Sequence, residues 1–327
     1  MPANTTYTEI VTTTLENRSR IIADNVSNSN ALLMKISERG NVKPADGGRT
    51  IVQELDYAEN ATFMYYSGYE AWSLTPSDVI SAAEFEWKQA VVVVSMSGLE
   101  IEVQNSGPSA VKSLIDARVT NAERTMRNKI SEGVYSDGTG SAGKQITGLQ
   151  ATVADANTTG FTGVGTVGGI NASTSSFWAN FVYDSSATNG AAMSATNILQ
   201  SMQRTYINLT RGADHPDIAV ADGNYYGFFW NSLTAIQRIN APGEGKAGFD
   251  ALKFAGADVY YDGDSGLPAN HMYMLNTNYL FWRPHPARNM VPLRSRDSLN
   301  QDATIVPLVF AGNLTCSNRA LQGVLKE

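Results

Sequence analysis

Residues 83–98 read AEFEWKQAVVVVSMSG, and the change of character halfway along this stretch decides the architecture. In its first half Phe85 and Trp87 alternate with Glu84, Glu86 and Lys88, the period-two signature of a strand with one face in solvent. From Ala90 to Val94 every side chain is apolar, which predicts burial between two layers. A single long strand is therefore expected to project from the body at one end and to root in it at the other. Upstream, Gly47 and Gly48 open a second strand-like run from Arg49 to Tyr57, its natural partner in a hairpin. Between the two runs lie Phe63, Met64, Tyr65, Tyr66, Tyr69 and Trp72. Aromatic side chains concentrated on a projecting segment mark a contact surface.

Downstream, residues 108–135 carry the clearest helical period of the chain. Val111, Leu114, Ile115, Val119, Ala122, Met126, Ile130 and Val134 recur at three and four, with Pro108 and Ser109 as the entry signal and Gly133 to Gly138 as the exit. About 25 residues at 1.5 Å each make a rod of roughly 37 Å, enough to span a domain. Residues 1–45 read as a polar extended arm with one short helix at Ala31 to Ser37. Residues 136–176 hold nine glycines and three charges, which predicts irregular strands and loops. Helices are expected after Ser194, using Ile198, Leu199, Met202, Tyr206 and Leu209, and after Asp222, using Phe229, Trp230, Leu233, Ile236 and Ile239. Asp217 to Ala221, Ala257 to Asp262, His271 to Asn276 and Thr304 to Cys316 read as strands. The class is α+β, without regular βαβ alternation.

Composition narrows the function. At 327 residues with 43% hydrophobic side chains the chain can bury a sizeable core, and no apolar run approaches the roughly 20 residues of a membrane helix. The first thirty residues lack the basic and apolar regions of a secretory signal, so secretion by a cleaved signal is not expected, and neither is a membrane partner. The formal net charge of -7 opposes the sign usual for a nucleic-acid reader. Charged residues at 17% fall below the roughly 25% of an ordinary globular domain, as suits a surface covered by neighbours or one facing outside a cell.

Motifs for chemistry are weak. Gly138 to Lys144, GTGSAGK, imitates a phosphate-binding loop, but Gln145 stands where Ser or Thr is needed, and a helix precedes it instead of a strand. Gly163 to Gly168, GVGTVG, is not followed by an apolar helix and reads as a flexible loop. His215, His271 and His285 show no metal-ligand spacing, and the single Cys316 reads as a small buried hydrophobe. Eight Asn-x-Ser/Thr sequons follow from composition. Neither a catalytic residue, a cofactor nor a metal is expected. Arg283, Arg288, Arg294 and Arg296 make the one sustained basic stretch, FWRPHPARNMVPLRSR, open to carboxylate or phosphate pairing or to a solvated loop.

The order of polar arm, aromatic hairpin, long helix and Gly-rich α+β region resembles the major capsid proteins of tailed bacteriophages, with the fold named after phage Hong Kong 97. GGRTIVQELDYAENATFMYYSGYE (47–70) and AEFEWKQAVVVVSMSG (83–98) resemble its E-loop, and NSGPSAVKSLIDARVTNAERTMRNKISEGVYSDG (105–138) its spine helix. TVGGINASTSSFWAN (166–180) and FAGADVYYDGDSGLPANHMYMLNTNYLF (254–281) resemble later parts. The resemblance implies an N-terminal arm at 1–45, the E-loop and its root at 46–95, a P-domain with the spine at 96–140, an A-domain over most of 141–282, and strands returning to the P-domain at 283–327. It also implies hexamers and pentamers in an icosahedral head around double-stranded DNA bound without sequence specificity. Its location would be the virion, after assembly in the host cytoplasm. With about 45 residues before the hairpin, a separate scaffolding protein is expected, together with a portal protein and, optionally, a decoration protein. An encapsulin-like shell is the alternative within the fold, and a soluble α+β enzyme, compact and of small oligomeric state, the alternative outside it. In this family the E-loop lies over a neighbouring subunit near its spine, so the resemblance makes interface candidates of the six hairpin side chains, of Arg118, Arg124 and Arg127 on the spine, and of the four arginines at 283–296. The namesake's covalent cross-link needs a lysine on the reaching part of the hairpin, and residues 44–87 contain none.

Overall fold

In the computed structural model the run at residues 83–98 divides at Trp87, and its halves serve two different sheets. The structure describes residues 30–72, 74, 75, 78–97, 99, 112–233, 252–262, 266–294, 296, 297 and 300–327. The arm before residue 30, the helix entry at 108–111, and Ile236 and Ile239 lie outside them. No helix among the described residues is long and apolar enough to cross a membrane.

Helix α1 (Ala31–Glu38) starts at Asn30, whose Oδ1 accepts from the Leu33 amide at 2.9 Å. Strands β1 (Thr50–Asp56) and β2 (Ile80–Glu86) pair antiparallel, from Thr50 opposite Glu86 to Asp56 opposite Ile80. Strand β3 (Lys88–Ser97) leaves this ribbon, and the long helix α2 (Lys112–Tyr135) packs on it. Expected burial of Val91 to Val94 on both faces does not hold. Val94 and Met96 are buried, whereas Val91 and Val93 are 59% and 53% exposed, because the subunit supplies no layer on that side.

Three short strands follow: β4 (Gly160–Thr162), β5 (Thr166–Val167) and β6 (Ile170–Asn171). The expected flexible loop at 163–168 is instead half of a tight hairpin, β5 to β6, turning on Gly168 and Gly169 at φ of 59° and 76°. The GTGSAGK stretch forms a short turn with Ser141 and Ala142 left-handed, unlike a strand-loop-helix phosphate cradle.

The remaining elements are β7 (Asn180–Asp184), α3 (Ile198–Leu209), β8 (Ile218–Ala221), α4 (Gly223–Ser232), β9 (Leu252–Phe254), β10 (Ala257–Tyr261), β11 (Met272–Leu275), β12 (Leu280–Pro284), β13 (Val291–Pro292), β14 (Arg296–Asp297), β15 (Ala303–Cys316) and β16 (Gly323–Lys326). A seven-stranded sheet runs in the order β4-β7-β16-β11-β8-β10-β9. Both its faces are covered. Phe181, Tyr183, Ala219 and Met274 face α3 and α4, while Val182, Val220, Tyr273 and Val324 join the core that includes α1 and α2. In the second sheet β15 pairs on one side with β12, β13 and β14 and on the other with β3, from Ala303 opposite Ser97 to Gly312 opposite Lys88. Cys316 is fully buried there, and burial pushes its thiol up to about 12, the behaviour of a small hydrophobe.

Helix α1 is locked to the seven-stranded sheet by a ladder of aspartates. Positions 31, 35 and 39 lie on one side of a helix at this spacing. The Ala31 amide donates to Asp262 at 3.2 Å, Lys35 Nζ pairs with Asp258 at 2.8 Å, and Arg39 pairs with Asp217 at 3.2 Å. Leu32 and Ile36 are fully buried beside them, each stabilising by roughly 1.5–3 kcal/mol.

Candidate assembly surface on the projecting hairpin

The β1–β2 ribbon has two unlike faces. Ile51, Leu55, Ala83 and Phe85 point inward and close a small core with Val167 and Trp178. Val52, Glu54, Asp56, Ile80, Glu84 and Glu86 occupy the other face and are exposed, a strip of four carboxylates and two aliphatic side chains. Glu86 is held below the usual carboxylate range by its hydrogen bond and charge pairing with Lys88.

What fixes the ribbon to the body is the hairpin β5–β6. Gly168 O accepts from the Glu84 amide at 2.9 Å, and a Cβ at Gly168 would stand 2.7 Å from that of Ala83. Glycine is needed there for both the positive φ and the close approach. Trp178 Nε1 donates to Val167 O at 3.0 Å, and Tyr57 stacks on Phe177 with ring centroids 4.6 Å apart. At the ribbon's other end Trp87 Nε1 donates to Gly48 O at 3.0 Å. The loop beyond Tyr57 is thus aimed by its own subunit.

That loop carries the aromatic residues. Tyr65 and Tyr69 are 90% and 108% exposed, and Phe63, Met64, Tyr66 and Trp72 are also exposed. Phe63 lies against Tyr65 with ring centroids 5.2 Å apart, and Tyr66 against Trp72 at 5.5 Å. Asn60 Oδ1 accepts from the Thr62 amide, and Glu70 Oε2 from the Ser67 amide at 3.2 Å, so local turns shape the tip.

The arginines divide into two groups. Arg283 Nη2 donates to Gln53 Oε1 at 2.8 Å, its guanidinium lies 5.3 Å from the Phe281 ring, and burial holds its pKa below the usual value. Arg288 Nη1 reaches Gln89 Oε1 at 3.4 Å. Both therefore turn back onto the hairpin strands of their own chain. Arg294 and Arg296 are exposed. On α2, Arg118 Nη1 lies 3.4 Å from Ser95 O, Arg124 is half-buried and Arg127 exposed, away from the buried row Ala122, Met126, Ile130 and Val134.

Sequence reasoning missed Arg319. Its guanidinium is fully buried and donates to the carbonyls of Thr152, Trp178 and Val164, binding together the segments that support β5–β6. Burial lowers its pKa to about 10, which leaves it charged at neutral pH. Nothing in the local sequence RALQ distinguishes it from a surface arginine.

A chain with a projecting hairpin, a spine helix packed on a sheet that β15 completes, and a separate seven-stranded sheet matches solved shells along nearly its whole length. The capsid asymmetric unit of cyanophage A-1(L) superposes with a TM-score of 0.67 at 17% identity, covering 94% of this chain and 95% of that one. The chain has the Hong Kong 97 capsid fold. The capsid of the empty GTA particle gives a TM-score of 0.56 at 13% identity, over 94% and 93% of the two chains. The SrpI encapsulin complex of Synechococcus elongatus PCC 7942 gives 0.54 at 10% identity, over 95% and 93%. No protein-family model and no curated protein sequence matches the chain.

Proposed function

We propose that this chain is the major capsid protein of a tailed phage, assembling as hexamers and pentamers into an icosahedral head around double-stranded DNA, without enzymatic activity. The observation that carries the reading is the aromatic loop of the capsid fold, held out from the body with its side chains in solvent. Six large side chains so displayed cost solubility unless a partner covers them, and buried aromatics dominate contact energetics. Residues 46–95 act as the E-loop, 96–140 as the P-domain with its spine, and 141–282 mainly as the A-domain. A separate scaffolding protein, a portal and, optionally, a decoration protein are the partners, with assembly in the host cytoplasm and residence in the virion. The purified chain is expected to form very large particles by size exclusion and negative-stain imaging. A compact monomer or small oligomer would instead support a soluble enzyme. An encapsulin-like shell is kept as second reading because the SrpI encapsulin superposes over 95% of the chain. Enzyme cargo in particles from the native source favours it, and DNA with a portal favours the phage.

The acidic outer strip of the ribbon suits the cationic side of a neighbour's spine. Arg118, Arg124 and Arg127 with Glu54, Asp56 and Glu84 are the proposed pairs, each worth roughly 0–1 kcal/mol if exposed, and therefore setting register and assembly rate more than strength. Reversing charge at Arg124 and Arg127 together is expected to slow assembly and flatten its salt dependence. Unchanged kinetics across salt would reject the pairing.

Of the basic stretch, Arg294 and Arg296 are proposed to meet carboxylates of an adjacent subunit, while Arg283 and Arg288 set the hairpin they hold. Alanine at Arg294 or Arg296 is expected to lower particle yield and leave DNA retention unaltered. Normal yield with impaired packaging would assign them to phosphate.

A further inference from the structure

Where the ribbon gives way to the projecting loop, the structure holds a cavity of about 160 Å³ between the hairpin and the body. This exceeds the roughly 10–15 Å³ a single water needs and falls short of the roughly 300–1,000 Å³ of a small-molecule site. Its size suits one large side chain. Tyr57, Phe177 and Trp178 line it together with Phe161 and Arg211, the guanidinium 6.0 Å from the Phe161 ring. Arg211 is fixed at its backbone by paired hydrogen bonds with Asp214 at 2.8 and 3.0 Å. Its side chain forms no ion pair with any described residue.

The tip of the loop presents the complementary pair. Gly68, at a φ of 62°, turns the chain so that Tyr69 stands wholly in solvent. The neighbouring Glu70 is oriented by the Ser67 amide through one carboxylate oxygen, which leaves the other free to accept. An aromatic ring beside a carboxylate faces, in chemical terms, an aromatic-walled hole beside a guanidinium. Within its own chain Tyr69 does not enter the cavity.

We propose that Tyr69 of one copy plugs this cavity in the next copy, with Glu70 pairing to Arg211. The inference rests on the shell reading and specifies its contact. Plug and hole are different surfaces of the same chain, so the contact is head-to-tail and generates a closed ring where the rotation closes.

A photo-reactive phenylalanine analogue at position 69, in particles assembled from mixed light and nitrogen-15-labelled chains, tests the contact. Cross-links are expected between chains, from position 69 to peptides containing residues 55–57, 176–178 or 211. Arg211→Glu should raise the concentration needed for assembly at least about tenfold, as loss of an interface anchor does, and adding Glu70→Arg should restore it. Particles whose cross-links fall elsewhere or within one chain, or Arg211→Glu chains that assemble like the parent, overturn the plug and leave the shell reading standing. Failure of the unaltered chain to form particles overturns both.

Discussion

Replacing Arg319 by methionine is expected to lower stability by several kcal/mol, about 1–3 kcal/mol for each buried carbonyl left without its donor. The side chain is fully buried, and its donors satisfy carbonyls from three separate segments, at Thr152, Val164 and Trp178. Methionine fills a similar volume but leaves those oxygens without donors, each at roughly 1–3 kcal/mol, offset in part by relief of the desolvated cation. Loss should spread to assembly, because Val164 precedes the β5–β6 hairpin on which the ribbon rests. Thermal unfolding of the unassembled chain reads the effect, and Arg319→Lys, which keeps the charge but not the fork, should fall between. A melting temperature within a degree of the parent for Arg319→Met would show that the three carbonyls find other donors.

Mature particles boiled in denaturant are expected to run as one band near the chain mass of 35.2 kDa. Covalent joining in the manner of the fold's namesake needs an amine on the reaching loop, and residues 44–87 contain no lysine. The nearest, Lys88, is spoken for: its Nζ lies 2.9 Å from Glu86 Oε2 and 2.7 Å from Gly143 O, with the side chain only 11% exposed. Asn60, the asparagine of the loop, spends its Oδ1 on the Thr62 turn. Cohesion then falls to buried aromatic area and polar contacts, which denaturant disrupts. A ladder of multimers would refute this.

The elements that sequence made legible were those with a strong local period. The α2, α3 and α4 segments needed only apolar spacing, with the Asp222 cap opening α4, and β15 showed as a long apolar run. Less visible were β7 and β16, although β8, β10 and β11, of the same four or five residues, were read from their apolar runs. The break at Trp87 was hidden because both halves of the run favour strand, and only pairing partners separate them. Val91 and Val93 misled for a related reason: an apolar run does not say which of its two faces the chain itself covers. Of the assembly surface, the aromatic loop could be found from composition, whereas the cavity beside Tyr57 draws on segments at 161, 177 and 211 that no spacing rule connects.

The position of β16 has a consequence for timing. Its strand pairs with β7 on one side and β11 on the other, near the middle of the seven-stranded sheet, yet among the described strands it is the last to leave the ribosome. Phe181 waits for Gly323, a gap of about 140 residues, which at about 5–20 residues per second is roughly 7–30 s of translation. Until then β7 and β11 each present an open edge, and the domain cannot close. Until synthesis reaches residue 326, one nascent chain on a polysome therefore cannot offer another a finished seven-stranded sheet.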